Sequence, residues 1–343
     1  MPNLLEVSDV RVRYRVLSPL MSMLTGDANP FVDAVSGVSF SLAEGQTYAL
    51  VGESGSGKTT LARAINGLVK TEIGSSIRFN DTELTGLSQR EFRTRRSDMA
   101  MMFQDPIGSL SPRQTVRSLL KEPFQAHGMT DRDLDAECFR LLGLVGLPRH
   151  FADRYPHQLS GGQARRVGLA RAVALDPKLV IADEPTAGLD VSIQGDVINL
   201  LNSLQDRLGL AILIITHNLH VVRHIAHRAA IMYLGRLVEE GATEKIFRAP
   251  AHPYTKALLA ASHAPDANAD RIALKGEVPS LKNRPNGCEF HTRCPYVQEK
   301  CRLEFPLIDE CGNDHACRCH FPLGEAPASL RRDVCSILAM PRS

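Results

Sequence analysis

The sequence predicts an α/β fold built on a mostly parallel sheet, and three observations carry that expectation. Short apolar runs of strand length recur, at Thr47–Val51, Leu179–Ala182 and Ala211–Thr216. Helical stretches alternate with them: Thr59–Leu68, Val191–Arg207 and His220–Ala226. The first run empties into a Gly-rich turn, Gly52–Thr59, that opens the first of these helices. Runs this short and apolar throughout suit strands buried on both faces, and strand–helix alternation suits parallel neighbours joined by crossovers.

The remaining elements follow in order. Alternation at Val10, Val12 and Tyr14, and again at Val35, Val38 and Phe40, makes Leu4 to Leu42 a region of short antiparallel strands. Ser18 to Pro30 reads as a loop between them. From about residue 88 to 165, charged amphipathic segments (Gln89–Arg96, Arg132–Leu142) are broken by Pro106, Pro112, Pro123, Pro148 and Pro156, which reads as a helical subdomain inserted in the core. Ala229–Tyr233 is a strand with Gly235–Val238 as its hairpin partner. From His263 the composition shifts to Pro, Asn, Cys and charge. The expected division is a core over 1–262 and a small Cys-rich domain over 263–343.

Composition narrows the function. The 343 residues are 43% hydrophobic and 23% charged, with a formal net charge of +2. That balance disfavours a nucleic-acid binder, as does the 5% aromatic content for base stacking. A membrane span needs roughly 20 apolar residues, and Leu208–Ile215 falls well short. The N-terminus lacks a signal-peptide core, so a cytoplasmic chain is expected. All Cys except Cys138 lie between Cys288 and Cys335, a clustering that reads as metal binding in a reducing compartment.

Gly52-Glu53-Ser54-Gly55-Ser56-Gly57-Lys58-Thr59 fits G-x-x-x-x-G-K-[ST] between a strand and a helix, the context that marks a phosphate cradle. Its backbone N–H groups and the helix N-terminus would face the phosphates, with Thr60 on the first turn. Lys58 would neutralise the β- and γ-phosphates, and Thr59 would offer its hydroxyl to Mg²⁺. Asp183 and Glu184 close an apolar strand beside that loop. Asp183 is placed to hold Mg²⁺ through water, and Glu184 to orient or deprotonate the attacking water.

Leu159-Ser160-Gly161-Gly162-Gln163 resembles the signature of ABC-type ATPases, and it stands in that family's chain order. Gln104 follows the apolar run Met99–Phe103, then come the signature, Asp183-Glu184, Gly188-Leu189-Asp190 and His217. The resemblance implies two ATPase domains facing head to tail. Each ATP then lies between one phosphate loop and the other domain's Ser160, Gly161, Gly162 and Gln163. It further implies that Gln104 senses Mg²⁺ and the lytic water, that Asp190 belongs to the loop between sites, that His217 touches the γ-phosphate, and that Tyr14 stacks on adenine. Two positions depart from the pattern: Thr186-Ala187-Gly188 before Leu189-Asp190, and Asn218 where an Asp is usual.

His252-Pro253-Tyr254-Thr255 and Gly287-Cys288, with Arg293-Cys294-Pro295 and Cys301, resemble the dipeptide and oligopeptide importers of that family. The likeness spans nearly the whole chain. It implies an ATPase at the cytoplasmic face of the membrane that energises uptake of di- or oligopeptides, or of nickel, glutathione or another small solute. The implied partners are two transmembrane permeases, a second ABC ATPase forming a heterodimer, and an extracytoplasmic solute-binding protein, with no nucleic acid. In that subfamily the C-terminal region can hold a [4Fe–4S] cluster. Cys288, Cys294, Cys301 and Cys319, spaced C-x5-C-x6-C-x17-C, would be its ligands; structural zinc is the alternative. Cys317 is a rival fourth ligand, set aside because His315 and His320 fit the family pattern around Cys319. Cys311 and Cys335 read as free thiols and Cys138 as core. His220, His224 and His227 read as a solvated helix, since no acid or Cys completes a metal site, and Arg90, Arg93, Arg95 and Arg96 as a solvated face. The competing function is a soluble ABC ATPase acting on nucleic acid or ribosomes. It is disfavoured because neither a coiled-coil insertion nor a second cassette is present.

Overall fold

The computed structural model describes residues 2–16, 30–103, 105, 108–129, 131–262 and 276–324. Gln104, Pro106 and Cys335 lie outside the described residues, as does most of the expected loop Ser18–Pro30. β1 (Asn3–Arg15) and β2 (Phe31–Ala43) pair antiparallel, and β4 (Ser76–Phe79) and β5 (Thr82–Glu83) complete a sheet of order β2-β1-β4-β5. These first strands are thirteen residues each, longer than expected. Their alternation is re-phased by bulges: Asp9 takes φ 45°, facing Gly37 at φ 73°.

The second sheet contains β3 (Thr47–Val51), β6 (Met99–Met102), β7 (Leu179–Asp183), β8 (Ala211–Thr216), β9 (Arg228–Tyr233), β10 (Arg236–Ala242), β11 (Asp309–Gly312) and β12 (His315–Cys317), in the order β11-β12-β10-β9-β3-β8-β7-β6. From β6 to β9 the neighbours are parallel; beyond β9 they are antiparallel. The sheet is thus mixed, its parallel part running from the β6 edge to β9 and its antiparallel part forming the other side.

Because side chains alternate along a strand, the central strands feed two cores at once. In β3, Ala49 and Val51 face a helical layer, while Tyr48 and Leu50 face α1 (Lys58–Ile65) and the antiparallel sheet. In β8, Ile212 and Ile214 point one way, Leu213 and Ile215 the other. The helical layer holds α3 (Val116–Ala126), α4 (Leu134–Leu144), α5 (Gly161–Ala172), α6 (Val191–Leu208) and α7 (Leu219–Ile225).

Three local expectations change. α1 ends at Ile65 rather than Leu68, where Gly67 takes φ 64° with the Phe92 ring of α2 (Gln89–Arg95) 2.5 Å from any Cβ placed there. Pro123, read as a breaker, lies inside α3. The helix continues through it because Leu119, Leu120 and Phe124 are buried on one face, and packing outweighs the lost backbone bond. Within the stretch 88–165, β6 belongs to the main sheet, paired with β7.

α8 (Thr243–Arg248), α9 (Pro253–Ser262) and α10 (Glu299–Leu303) lead into the C-terminal segment, whose β12 and β11 extend the main sheet past β10. β10 is therefore longer than the Gly235–Val238 expected. Among the described residues no helix is long and apolar enough to cross a membrane. The histidines near α7 serve the fold: His227 Nδ1 accepts from the Thr47 amide at 3.0 Å, and His220 Nε2 lies 2.8 Å from the Ser262 carbonyl.

Candidate active site

The carboxyl ends of β3, β7 and β8 lie side by side in the parallel sheet, and each delivers a piece of one site. After β3 the chain wraps around the Lys58 side chain. Gly52 permits this because a Cβ there would stand 2.2 Å from the Met232 carbonyl oxygen; Gly57, at φ 102°, would meet the Ala34 carbonyl at 2.3 Å. Ser54 and Gly55 form the exposed tip, and Ser56 is buried. Lys58 donates to the carbonyls of Gly52 and Glu53 at 2.7 and 2.8 Å and to Ser56 Oγ at 3.2 Å. Burial lowers its pKa, opposed by Glu184, Asp183 and Glu53.

Thr59 Oγ1 donates to Asp183 Oδ1 at 3.2 Å, joining the start of α1 to the end of β7. Burial pushes the Asp183 carboxyl up, and the Thr59 bond counters it. Thr60 is half-buried on the next position of α1. Glu184 takes φ 50°, a left-handed conformation that costs a non-Gly residue on the order of 1 kcal/mol. That turn brings Glu184 Oε1 to 2.7 Å from His217 Nδ1, at the end of β8, while Thr216 Oγ1 donates to Oε2 at 3.3 Å. A carboxylate with an imidazole on one oxygen can accept a proton from water and be held while doing so.

Arg165, which sequence reasoning missed, supports this turn. From α5 it donates to the carbonyls of Glu184 and Ala187 at 2.8 and 2.7 Å, and burial lowers its pKa. Its only signal in sequence is a charge on a buried helix face, between Ala164 and Val167.

The signature residues sit elsewhere. Ser160 caps α5, its Oγ accepting from the Gln163 amide at 3.3 Å while Gln163 Oε1 accepts from the Ser160 amide at 3.0 Å. Gly161 and Gly162 open the helix, with Ile193 packed 3.0 Å from any Cβ at Gly162. Asp190 is exposed and caps α6, accepting from the Ile193 amide at 3.0 Å. Tyr14 is exposed opposite Val32 on the β1–β2 ladder, two residues from the Ala34 that abuts Gly57.

Two further contacts reach the phosphate loop from the C-terminal side. Tyr254 Oη accepts from the Glu53 amide at 3.0 Å, and Arg293 donates to both Glu53 carboxylate oxygens, at 2.7 and 3.0 Å. The Glu53 contact raises the Arg293 pKa. Cys288, Cys294, Cys301 and Cys319 line one apolar cavity with His252, Phe290, His291 and His320; Cys317 does not border it. Burial pushes the Cys288 thiol up to about 11 and that of Cys319 up to about 12. Among the described residues no three His, Cys, Asp or Glu side chains are grouped to hold a single metal ion.

Comparison with known proteins matches this geometry. The ABC transporter profile covers residues 35–187, and the profile for the C-terminal region of oligopeptide/dipeptide transporters covers residues 238–301. The oligopeptide transport ATP-binding protein AppF of Bacillus subtilis is 45% identical over 93% of this chain and 97% of its own. This chain belongs to the oligopeptide/dipeptide ABC transporter ATP-binding family. OppF of Salmonella typhimurium, an oligopeptide transport ATP-binding protein, is 42% identical over 89% of this chain and 92% of its own. The di/tripeptide transport ATP-binding protein DppF of Pseudomonas aeruginosa is 44% identical over 90% and 96%. Among solved structures, the ATP-binding cassette MJ0796, dimeric and bound to ADP and phosphate, superposes with a TM-score of 0.60 at 25% identity, over 70% of this chain and 98% of its own. The cbiO1 subunit from Clostridium perfringens gives 0.62 at 27%, over 72% and 92%. This ABC transporter subunit is an ATPase, and ATP with Mg²⁺ is what such a subunit uses.

Proposed function

We propose that this subunit hydrolyses ATP at the cytoplasmic face of a membrane importer and thereby drives uptake of di- or oligopeptides. The observation that carries the reading is the Glu184–His217 pair at 2.7 Å, one strand away from the Thr59–Asp183 contact. The phosphate loop from Gly52 to Thr60 binds the nucleotide, and Thr59 and Asp183 hold Mg²⁺. Glu184 takes the proton of the attacking water, while His217 fixes that carboxylate and meets the γ-phosphate. Gln104 senses the metal and the water, and Tyr14 packs on the adenine. Ser160, Gly161, Gly162 and Gln163 cap the nucleotide of a second ATPase subunit. Their α5 N-terminus supplies amide donors for a γ-phosphate, and Asp190 lies between the two sites. Asn218, in place of the usual Asp, changes communication between the sites without removing a catalytic group.

The rest of the assembly is two permeases, a related ATPase forming a heterodimer, and an extracytoplasmic solute-binding protein. Within the chain, residues 1–262 are the ATPase domain with its helical subdomain near 88–165, and 263–343 the Cys-rich appendage. Cys288, Cys294, Cys301 and Cys319 are proposed to hold a [4Fe–4S] cluster. The four thiols line one apolar cavity, and their x5 and x6 gaps are wider than those common in zinc sites, which favours one thiolate per iron over a single zinc. The cluster's chemistry there is structural, a staple for a segment short of apolar core.

Purification of a tagged chain from gently solubilised membranes of its host tests the assembly. Two multispanning permeases and a second ATPase are expected. Recovery with ribosomes or DNA from the soluble fraction alone would favour the competing class. Anaerobic iron and sulfide assay tests the cluster; zinc without sulfide would replace it.

A further inference from the structure

The start of β2 is clamped from the C-terminal segment by a charged group separate from the Arg293–Glu53 pair. Arg284 donates through one nitrogen to the Asp33 carbonyl at 2.5 Å and to Ser36 Oγ at 3.0 Å, and through another to Glu289 Oε1 at 2.7 Å. Arg236, which opens β10, donates to the Ser36 carbonyl at 3.0 Å and to the same Glu289 oxygen at 3.3 Å. Glu289 thus holds both guanidinium groups while they hold residues 33–36. The group is set into the protein: Ser36 and Glu289 are buried, and the Arg284 side chain is 17% exposed. Hydrogen bonds from a guanidinium are among the stronger ones, and its planar fork loses little freedom in making several at once.

Residues 33–36 in turn abut the phosphate loop at two points. Between β9 and β10 the chain reverses in two residues, Leu234 at φ 44° and Gly235 at φ 80°, the left-handed pair that a tight hairpin requires. The Gly235 carbonyl accepts from the Ser36 amide at 2.8 Å, and the Gly235 amide donates to the Ser56 carbonyl at 2.9 Å. Ser56 Oγ accepts from Lys58. The second point is the Ala34 carbonyl oxygen, which would stand 2.3 Å from a Cβ at Gly57 and 2.8 Å from one at Gly235. Backbone meets backbone at both points, so a shift in residues 33–36 passes directly to Ser56 and Gly57.

We propose that Arg284 is a positioning residue for ATP binding: from the C-terminal segment it sets residues 33–36 and, through them, holds the phosphate loop in its binding shape. It acts through the Asp33 carbonyl and the Ser36 hydroxyl, with Glu289 as the counter-charge that orients it. Without Arg284 the loop spends part of its time in other shapes, and the apparent affinity falls with the fraction of chains left competent. ATP, once bound, orders the loop through its phosphates, so turnover at saturation suffers less than affinity. The proposal rests on the reading that Gly52–Thr60 binds the nucleotide, and it makes the C-terminal segment a working part of that site.

Equilibrium binding of ATP to the purified full chain tests this, with steady-state hydrolysis measured beside it. Arg284→Met keeps the aliphatic stem and removes the fork. If it leaves about one chain in five competent, the dissociation constant rises about fivefold. KM is expected to rise with it and kcat to fall by a smaller factor. Arg284→Lys, with one donor group left, should lie between Arg284→Met and the unaltered chain. A partly unfolded preparation lowers the number of binding sites and not the constant, so the measurement separates positioning from loss of fold. Ser36→Ala removes only the hydroxyl acceptor and carries the test should Arg284→Met fail to fold. It is expected to weaken ATP about twofold, and to add little to Arg284→Met because both break the same bond. Lys58→Ala, the control for the site, is expected to abolish binding. Unchanged ATP affinity in Arg284→Met and Ser36→Ala, with binding lost in Lys58→Ala, would overturn the proposal and leave the site standing. Full-strength binding in Lys58→Ala would overturn the reading of the loop itself, and the proposal with it.

Discussion

Arg293 grips Glu53 with two nitrogens, at 2.7 and 3.0 Å, across 240 residues of chain. The contact links the residue before Cys294 to the second residue of the phosphate loop. Glu53 also gives its carbonyl to Lys58 and its amide to Tyr254, so one residue is fixed from three sides. The Arg293 side chain is only 4% exposed, which removes the solvent screening that weakens surface pairs.

Lysine cannot reproduce that fork. Arg293→Lys is expected to weaken ATP binding severalfold. A double-mutant cycle with Glu53→Gln on ATP affinity should return a coupling of about 1–3 kcal/mol. Additive single effects would show that the pair does not shape the loop.

Arg165 holds the carbonyls on either side of the strained Glu184 turn. Arg165→Lys is expected to lower kcat by about tenfold or more while leaving the KM for ATP nearly unchanged, because the phosphate loop is untouched. Equal changes in both parameters would assign Arg165 to general folding instead.

His252 is buried, and burial lowers its pKa to about 4. Its Nδ1 accepts from the Tyr254 amide at 3.1 Å, which only the neutral ring can do. The folded pKa lies below the unfolded value near 6.5, so the unfolded chain takes the proton first as pH falls. The contribution is intact above about 6.5 and lost on the way down through 4, a loss on the order of 3 kcal/mol. The thermal midpoint of His252→Gln should therefore fall less steeply between these pH values than that of the unaltered chain. Parallel curves would place the acid sensitivity elsewhere.

What was legible in the sequence is what one strand and its following loop carry together. Gly52–Thr59 and Asp183–Glu184 are contiguous, and His217 directly follows β8, so pattern placed them at adjacent strand ends. Arg165, Tyr254 and Arg293 act across the fold. Nothing local distinguishes them from a helix charge, a core aromatic or a loop cation until the sheet brings them to Glu184 and Glu53. Pro123 was misread for the opposite reason, since its local cost is real but the buried face of α3 outweighs it.

The central claim is that Glu184 performs the water chemistry that drives peptide uptake. It is tested most directly by following entry of a labelled short peptide into host cells whose own gene copy encodes Glu184→Gln. ATP binding to the purified variant should persist while hydrolysis falls by roughly 10²-fold or more, and uptake should drop to background. Uptake at the unaltered rate, with the variant protein present at normal levels, would contradict the account.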